Sequence, residues 1–177
     1  LQHVDTFLEA FENRSDLALI IRPHPLFFGR MRHLGLMDEA GEAAFRERLK
    51  ASGTMFLDET FDYAEAFACS EALIADAGSF ILEYLPTGKP VLYLDQPQGR
   101  GLNEEGDVVQ GYYPGRDKAD ILNFIAMMAR GEDPMRERRL AQIPEYFSRL
   151  DGKAGARIAT DILEGVRAER RFAGKRG

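Results

Sequence analysis

Three polar residues and a glycine in the middle of the chain have the types and the spacing of a phosphate and sugar site. Asp76, Gly78, Ser79 and Glu83 follow the apolar run 72–75. A strand that ends in such a turn and opens a helix brings backbone N–H groups, the helix dipole and a serine hydroxyl to one spot, which suits a phosphate. Glu83 lies one helical turn after Ser79, so its carboxylate can reach sugar hydroxyls. In the alternative, Ser79 only caps the helix and Glu83 is solvated.

A second candidate group follows the apolar run 17–21, the first clear strand. It reads Arg22-Pro23-His24-Pro25, and the two prolines fix the backbone and prevent the strand from continuing. Ligands of open parallel sheets bind at the carboxyl ends of the strands. We therefore expect His24 to lie on the same sheet edge as Ser79 and to contact the ligand, and the alternative is a structural histidine. We expect the next residues to form a basic loop with Arg30, Arg32 and His33.

A third candidate is the loop 58–62, which follows the predicted strand 54–57 and reads Asp-Glu-Thr-Phe-Asp. Stacking on Phe61 and backbone amides make this loop a candidate for holding a base, and Thr60 is its candidate binding residue. In the alternative, the loop only caps the next helix, with Asp62 as the N-cap residue.

The elements that position these residues form a repeating pattern. The run 72–75, a helix from Phe80 that stops at Gly88, and the run 91–94 make a βαβ unit. With the strands 17–21 and 54–57, this predicts an α/β, doubly wound fold with a mainly parallel sheet. The glycine-rich stretch 96–115 is predicted to be a loop with a short edge strand at 108–109 or 112–113. Amphipathic helices over 117–171 make a C-terminal helical segment packed on the domain.

The composition limits the size of the core and the classes of ligand that this chain can have. The 177 residues, 45% of them hydrophobic, can bury the core of a single domain over 1–177. The net charge of −6 argues against a nucleic-acid surface.

No long apolar run or leader stands out, which favours the cytoplasm. The basic tail after Arg167 is predicted to fray in water, and contact with the inner face of an anionic membrane is the alternative. The opening at Leu1, directly in an amphipathic helix, predicts a fragment of a larger protein.

Several familiar signatures are missing from the sequence. It has no P-loop, no GxGxxG after a strand, no His/Cys ligand cluster and no GxSxG elbow. No carboxylate pair stands out as a metal site. We therefore predict that this domain holds no metal and no cofactor, and that its ligand is a substrate.

The order of these motifs resembles the C-terminal domain of CDP-glycerol glycerophosphotransferases, GT-B-type enzymes that build teichoic-acid and related polyol-phosphate polymers. The resemblance covers about residues 17–162. It rests on RPHP at 22–25, on the block 76–94 with DAGS and GKPVLYL, on GYY at 111–113, and on DGKA at 151–154. It implies a Rossmann-like half of a GT-B enzyme, with a separate N-terminal acceptor domain that carries the catalytic base.

The resemblance also implies a role for each candidate residue. His24 would be the catalytic residue that contacts the donor phosphates, with Arg22 and Thr60 nearby. Asp76, Gly78 and Ser79 would form the diphosphate turn. Glu83, where the family commonly has an aspartate, would face the ribose. The family's usual turn is Asp-Tyr-Ser-Ser, so this chain lacks one hydroxyl and one aromatic ring there.

Two alternatives stay open at this point. The pattern DxGSxxxE followed by GKPVL is close to that of UDP-N-acetylglucosamine 2-epimerases and other UDP-sugar GT-B enzymes. A non-catalytic α/β module, such as a response-regulator-like or interaction domain, would bind no nucleotide. Such a module would have an acidic cluster from two consecutive strand ends. No pair of acids follows the strand 17–21, where this chain has Arg22 and His24.

Overall fold

The computed structural model describes residues 3–12, 14–76, 78–95, 102 and 104–173. They form a mixed α/β structure in which short parallel sheets are combined with helices. The strands are β1 Leu19–Ile21, β2 Met55–Leu57, β3 Leu73–Ala75, β4 Val91–Leu94 and β5 Tyr113–Gly115. The α-helices are α1 Val4–Phe11, α2 Phe27–His33, α3 Glu39–Ser52, α4 Ala64–Cys69, α5 Phe80–Glu83, α6 Lys118–Ala129, α7 Arg136–Tyr146 and α8 Ala154–Ala173.

All the strand pairs among the described residues are parallel. Strand β1 pairs with β2, and β4 lies between β3 and β5. The described pairs therefore make one sheet of two strands and one of three, rather than the single sheet expected from the sequence. The four predicted strands are present, three of them trimmed at the start. Val108 and Val109 belong to a 3-10 helix over Glu104–Gly111, so the predicted edge strand lies at β5 instead.

The two sheets share one hydrophobic core. Its fully buried members come from α1, α3, β2, β4 and α6, and side chains of β1 and β3 pack against it; they include Leu8, Leu49, Met55, Leu92, Ile121 and Ile125. A second cluster packs α5 and β4 against the 3-10 helix over Glu104–Gly111. Apolar side chains of both sheets thus pack into a common core, and this packing fixes the positions of the strand ends.

Two helices differ from the expectation. The basic stretch with Arg30, Arg32 and His33 is helical in α2 rather than a loop, because Phe28 is buried and packs edge-on against Phe45 of α3 at 6.1 Å. The helix after Ser79 is only four residues long and passes into a 3-10 turn over Leu85–Thr87, where Pro86 interrupts the backbone bonding. Its dipole is correspondingly small, which weakens the predicted helix contribution to anion binding.

The C-terminal helices pack on the rest of the chain to different extents. Helix α6 packs on α1 and β5, and α7 packs on the 3-10 helix over Glu104–Gly111. The long helix α8 instead leaves its apolar stripe exposed, at Ile158, Ile162, Leu163 and Val166. The side chains of Arg170 and Arg171, and all of 174–177, lie outside the described residues, as does the loop 96–101.

Candidate functional site

The carboxyl ends of β1 and β2 meet in a polar cluster. The Arg22 guanidinium pairs with the Asp58 carboxylate and also donates to the Thr60 hydroxyl at 3.1 Å and the Thr60 carbonyl at 2.6 Å. Asp58 in turn accepts from the Thr60 hydroxyl at 2.6 Å and from its backbone N–H at 2.9 Å. These bonds, the Thr60 hydroxyl first among them, lower the pKa of Asp58. The loop after β2 is thereby tied to the end of β1.

His24 lies exposed just beyond β1 in one defined orientation. Its Nδ1 accepts a hydrogen bond from the backbone N–H of Leu26 at 3.2 Å. In a neutral imidazole the other nitrogen then carries the hydrogen, so Nε2–H is the donor that points away from the backbone. The structure therefore presents His24 as a hydrogen-bond donor at a strand end, which suits a phosphate oxygen.

The turn after β3 is built on a glycine. Gly78 has φ +121°, a backbone region that L side chains rarely adopt, and open space surrounds it. Ser79 occupies the N-cap position of α5, although its side chain makes no capping hydrogen bond. Asp76 and Ser79 are both exposed. Ala77 lies outside the described residues.

The pKa of Glu83 is lowered, with hydrogen bonding by the Ser79 hydroxyl as the first cause and hydrogen bonding by the Tyr63 hydroxyl as the second, against the opposing effect of burial. Glu83 is thus held as a partly buried carboxylate rather than as a freely solvated helix residue. Its two oxygens have about four lone-pair sites, so two donors leave room for further hydrogen bonds.

Tyr63 is the site residue that sequence reasoning missed. It directly precedes α4, and its ring packs at 4.9 Å from both Phe67 and Phe80. Glu83, twenty positions further along the chain, is the first cause of the raised pKa of the Tyr63 phenol. Nothing in the local pattern around Tyr63 signals that contact. An aromatic residue with a hydroxyl at the end of a candidate loop was the only sign available.

Tyr63 connects the loop after β2 to the helix after β3, because its ring packs 4.9 Å from the ring of Phe80 in α5. The loop before Tyr63 is bonded to Arg22. We call the candidate residues at these strand ends the strand-end surface, and its polar members are Arg22, His24, Thr60, Ser79 and Glu83. The side chain of Phe61 stands fully exposed in the same loop. Asp62 does not occupy the N-cap position, although its carboxylate accepts from the Ala64 N–H at 2.8 Å.

Two surface hollows of about 680 and 690 Å³ lie at the α2–α3 turn and along α3 and β2. Neither is lined by His24 or Ser79, and both of these residues are exposed.

The motifs GKPVLYL and GYY have a different position. Arg139 of α7 is fully buried, pairs with Asp133 and donates to the Gly88 carbonyl from Nε at 3.1 Å and from Nη2 at 3.0 Å. Tyr113 also donates to Asp133, at 2.8 Å, and Tyr112 donates to the Ile81 carbonyl. We call Gly88, Tyr112, Tyr113, Asp133 and Arg139 the buried clamp. The polar side chains of the buried clamp form hydrogen bonds and an ion pair with other groups of the chain.

The described residues include no group of three or more His, Cys, Asp or Glu side chains that could hold a metal ion. Among the same residues, no helix is both long and apolar enough to cross a membrane.

Searches against family models, curated proteins and solved structures gave no match to this chain.

Proposed function

We propose that this chain is a nucleotide-donor-binding domain of the Rossmann-like, doubly wound type. More particularly, we propose that it is the donor half of a CDP-glycerol-type glycerophosphotransferase. Such an enzyme transfers polyol phosphate from a CDP-activated donor to a cell-wall or capsule polymer on the cytoplasmic side of the membrane. The partners in this proposal are the nucleotide-activated polyol and an acceptor domain that faces the strand-end surface.

The observation that carries the proposal is the polar cluster at the ends of β1 and β2, where Arg22 bonds to Asp58 and Thr60. The packing of the Tyr63 ring on Phe80 links this loop to α5, which begins after Ser79. Ser79 is a candidate donor for phosphate oxygens, and Glu83 is a candidate acceptor for sugar hydroxyls. His24 adds an outward N–H donor, and Phe61 adds an exposed ring on which a base can stack. This combination suits a nucleoside diphosphate better than a protein surface or a metal ion.

The proposed reaction is a phosphoryl transfer. A hydroxyl oxygen of the acceptor bonds to the β-phosphorus of the donor, the bridging P–O bond breaks, and CMP leaves. The hydroxyl proton goes to a base on the acceptor domain. His24 Nε2–H, Ser79 and backbone N–H groups of the 76–79 turn stabilise charge on the transferring group, while Glu83 holds the ribose. Asp76 and Gly78 shape that turn.

Calorimetric titration with CDP-glycerol, CDP, UDP-N-acetylglucosamine and UDP tests the proposal. We expect the cytidine ligands to bind more tightly, and we expect His24→Ala and Ser79→Ala each to weaken that binding about tenfold, since a hydrogen bond to a charged group contributes about 1.5–3 kcal/mol. His33→Ala, on α2 and away from the edge, is the matched control and should bind like the unchanged chain.

The turn Asp-Ala-Gly-Ser favours one competing function, a UDP-sugar enzyme of the epimerase or glycosyltransferase kind. Tighter binding of UDP than of CDP would replace the proposed donor with a UDP-sugar. If none of the four ligands bound, the domain would be a non-catalytic module.

A further inference from the structure

We propose that helix α8 binds the surface of an anionic phospholipid bilayer, with its apolar stripe in the lipid and its charged face in water. The stripe consists of Ile158, Ile162, Leu163 and Val166. The inference goes beyond the proposed function, because α8 contributes no residue to the strand-end surface and its ligand is not a nucleotide.

The first observation is that α8 has almost no cover from the rest of the chain. The four side chains of its stripe are between 43% and 60% exposed. Among residues 154–167, only Arg157 is even half-buried. Helices in proteins owe most of their stability to the packing of an amphipathic face, and Gly155 and Gly165 lower the intrinsic helix propensity here. A helix of 20 residues with an open apolar stripe therefore requires another surface to cover it.

The second observation concerns the acidic residues of α8. Successive residues of a helix are about 100° apart, which places Asp161 and Glu164 about 120° or more from the middle of the stripe. Both are exposed. Arg157, on the same charged face, donates to the Asp151 carboxylate at 3.0 Å. The negative charges of α8 before Arg167 therefore lie away from any surface that the stripe contacts.

The third observation is the charge at the end of the chain. The stretch 167–177 contains five basic residues and one acid, whereas the chain as a whole has a net charge of −6. Arg167 is exposed and directly follows the stripe. An anionic surface attracts this end and repels the acidic remainder, so α8 is the element that such a surface orients toward itself. An apolar stripe combined with basic residues is typical of helices that lie at a membrane interface.

A second copy of this chain is a poorer match for the stripe. The seam of a two-stranded coiled coil alternates steps of three and four residues. Either seam that passes through Ile162 also contains Glu169, and one of the two contains Gly165. A charged residue on the seam opposes such pairing, whereas a bilayer accepts a stripe with the ordinary helical period of 3.6 residues.

The experiment measures co-sedimentation of the whole chain with lipid vesicles, without nucleotide. We expect vesicles of equal parts phosphatidylglycerol and phosphatidylcholine to bind the chain at least about tenfold more tightly than pure phosphatidylcholine. Ile162→Ser should weaken binding to the anionic vesicles about tenfold, because an apolar side chain no longer enters the lipid. Leu34→Ser, at a leucine of similar exposure beside α2, is the matched control and should bind like the unchanged chain. Equal binding to both compositions, or no binding, would overturn the inference.

A tryptophan reporter locates the contact. The sequence contains no tryptophan, so Leu163→Trp gives emission from α8 alone and Leu34→Trp is its control. We expect anionic vesicles to shift the emission of Leu163→Trp to shorter wavelength and to leave that of Leu34→Trp unchanged, because an indole ring in the interface leaves water. Binding without that shift would mean that another surface contacts the lipid, and the inference would be wrong.

Sedimentation equilibrium tests the competing occupant. We expect the chain without lipid to be a monomer. A dimer that Ile162→Ser abolishes would show that a second copy covers α8, which would also contradict the inference. None of these measurements contains a nucleotide, so their outcome is independent of the titration with CDP and UDP ligands.

Discussion

The strand-end surface and the buried clamp contain the same kinds of residue in different surroundings. Each has an arginine–aspartate pair, Arg22 with Asp58 and Arg139 with Asp133. Each also lies beside a glycine with positive φ, Gly78 and Gly88. The difference is exposure, since the side chain of Arg139 is 0% exposed and that of Arg22 is 17% exposed.

That difference assigns the two regions to different tasks. In the clamp, the Arg139 guanidinium and both tyrosine hydroxyls have protein partners, so the region joins α7 to the GKPVLYL turn and offers little to a ligand. On the strand-end surface, Ser79, His24 and Phe61 are exposed. A motif residue therefore indicates a binding site only when folding leaves part of its bonding capacity unused.

The largest expected effect is from Arg139→Met. Removing one partner of a buried ion pair leaves Asp133 and the Gly88 carbonyl without their main donor, which typically costs about 3–5 kcal/mol. Urea denaturation should show this loss in the free energy of unfolding. Arg136→Met, at an exposed position on the same helix, is the control and should change it by less than about 0.5 kcal/mol. Equal effects of the two changes would contradict the assignment of the clamp.

Gly88→Ala is expected to be the next most severe. Gly88 has φ +66°, and an added Cβ would lie 2.8 Å from Leu140 Cδ2. The left-handed backbone alone costs about 1–2 kcal/mol for an L residue, and Leu140 must also shift. Gly155→Ala, in α8 with nothing within 4 Å, should instead stabilise the chain by a few tenths of a kcal/mol, up to about 1. Thermal unfolding of both variants checks the opposite signs.

Two tyrosine variants test the comparison by removing one hydroxyl group from each region. Tyr112→Phe leaves the buried Ile81 carbonyl without its donor and should cost about 1–3 kcal/mol of stability. Tyr63→Phe removes a bond from a hydroxyl near solvent and should leave the urea midpoint nearly unchanged. If Tyr63→Phe destabilised the fold as much as Tyr112→Phe, the contact with Glu83 would belong to the scaffold rather than to the site.

The smallest effect is a pH dependence at Glu83. Its pKa is lowered in the folded chain, so the ionised form adds stability above the ordinary glutamate value of about 4.3, and this contribution is lost as the pH falls through the lowered value. Glu83→Gln should therefore be less stable than the unchanged chain at pH 7, and this difference in the free energy of unfolding, the stability gap, should narrow below about pH 4. Urea midpoints across this range measure the gap, and Ser79→Ala should reproduce part of it. A gap that is constant with pH would contradict the bonding of Glu83.

Local patterns predicted the elements better than the contacts between them. Asp38 and Asp117 cap α3 and α6 at 2.7 and 2.9 Å, as expected for an acid before an apolar helix. The continuous apolar runs predicted all four strands, although one face of β1 and β2 is not covered and leaves Ile20 and Phe56 exposed. Helix α2 was missed because its one buried side chain, Phe28, makes no periodic stripe.

The site was predictable only in part, for the same reason. His24 and Ser79 could be placed at strand ends, since a parallel sheet has one carboxyl edge. The packing of Tyr63 on Phe80 and the pairing of Arg22 with Asp58 join residues 17 and 36 positions apart, and no spacing rule covers such separations. Long-range hydrogen bonds depend on how the layers pack, which a single sequence does not state.

The most direct test of the central claim is a ¹H–¹⁵N NMR titration of the labelled chain with CDP. We predict that the amide signals of Arg22, His24 and Leu26 and of 58–63 and 78–83 shift with a common saturation curve, while those of Gly88, Tyr112 and Arg139 stay in place. Shifts confined to the clamp or to the hollow along α3 and β2, or no shifts at all, would contradict the account.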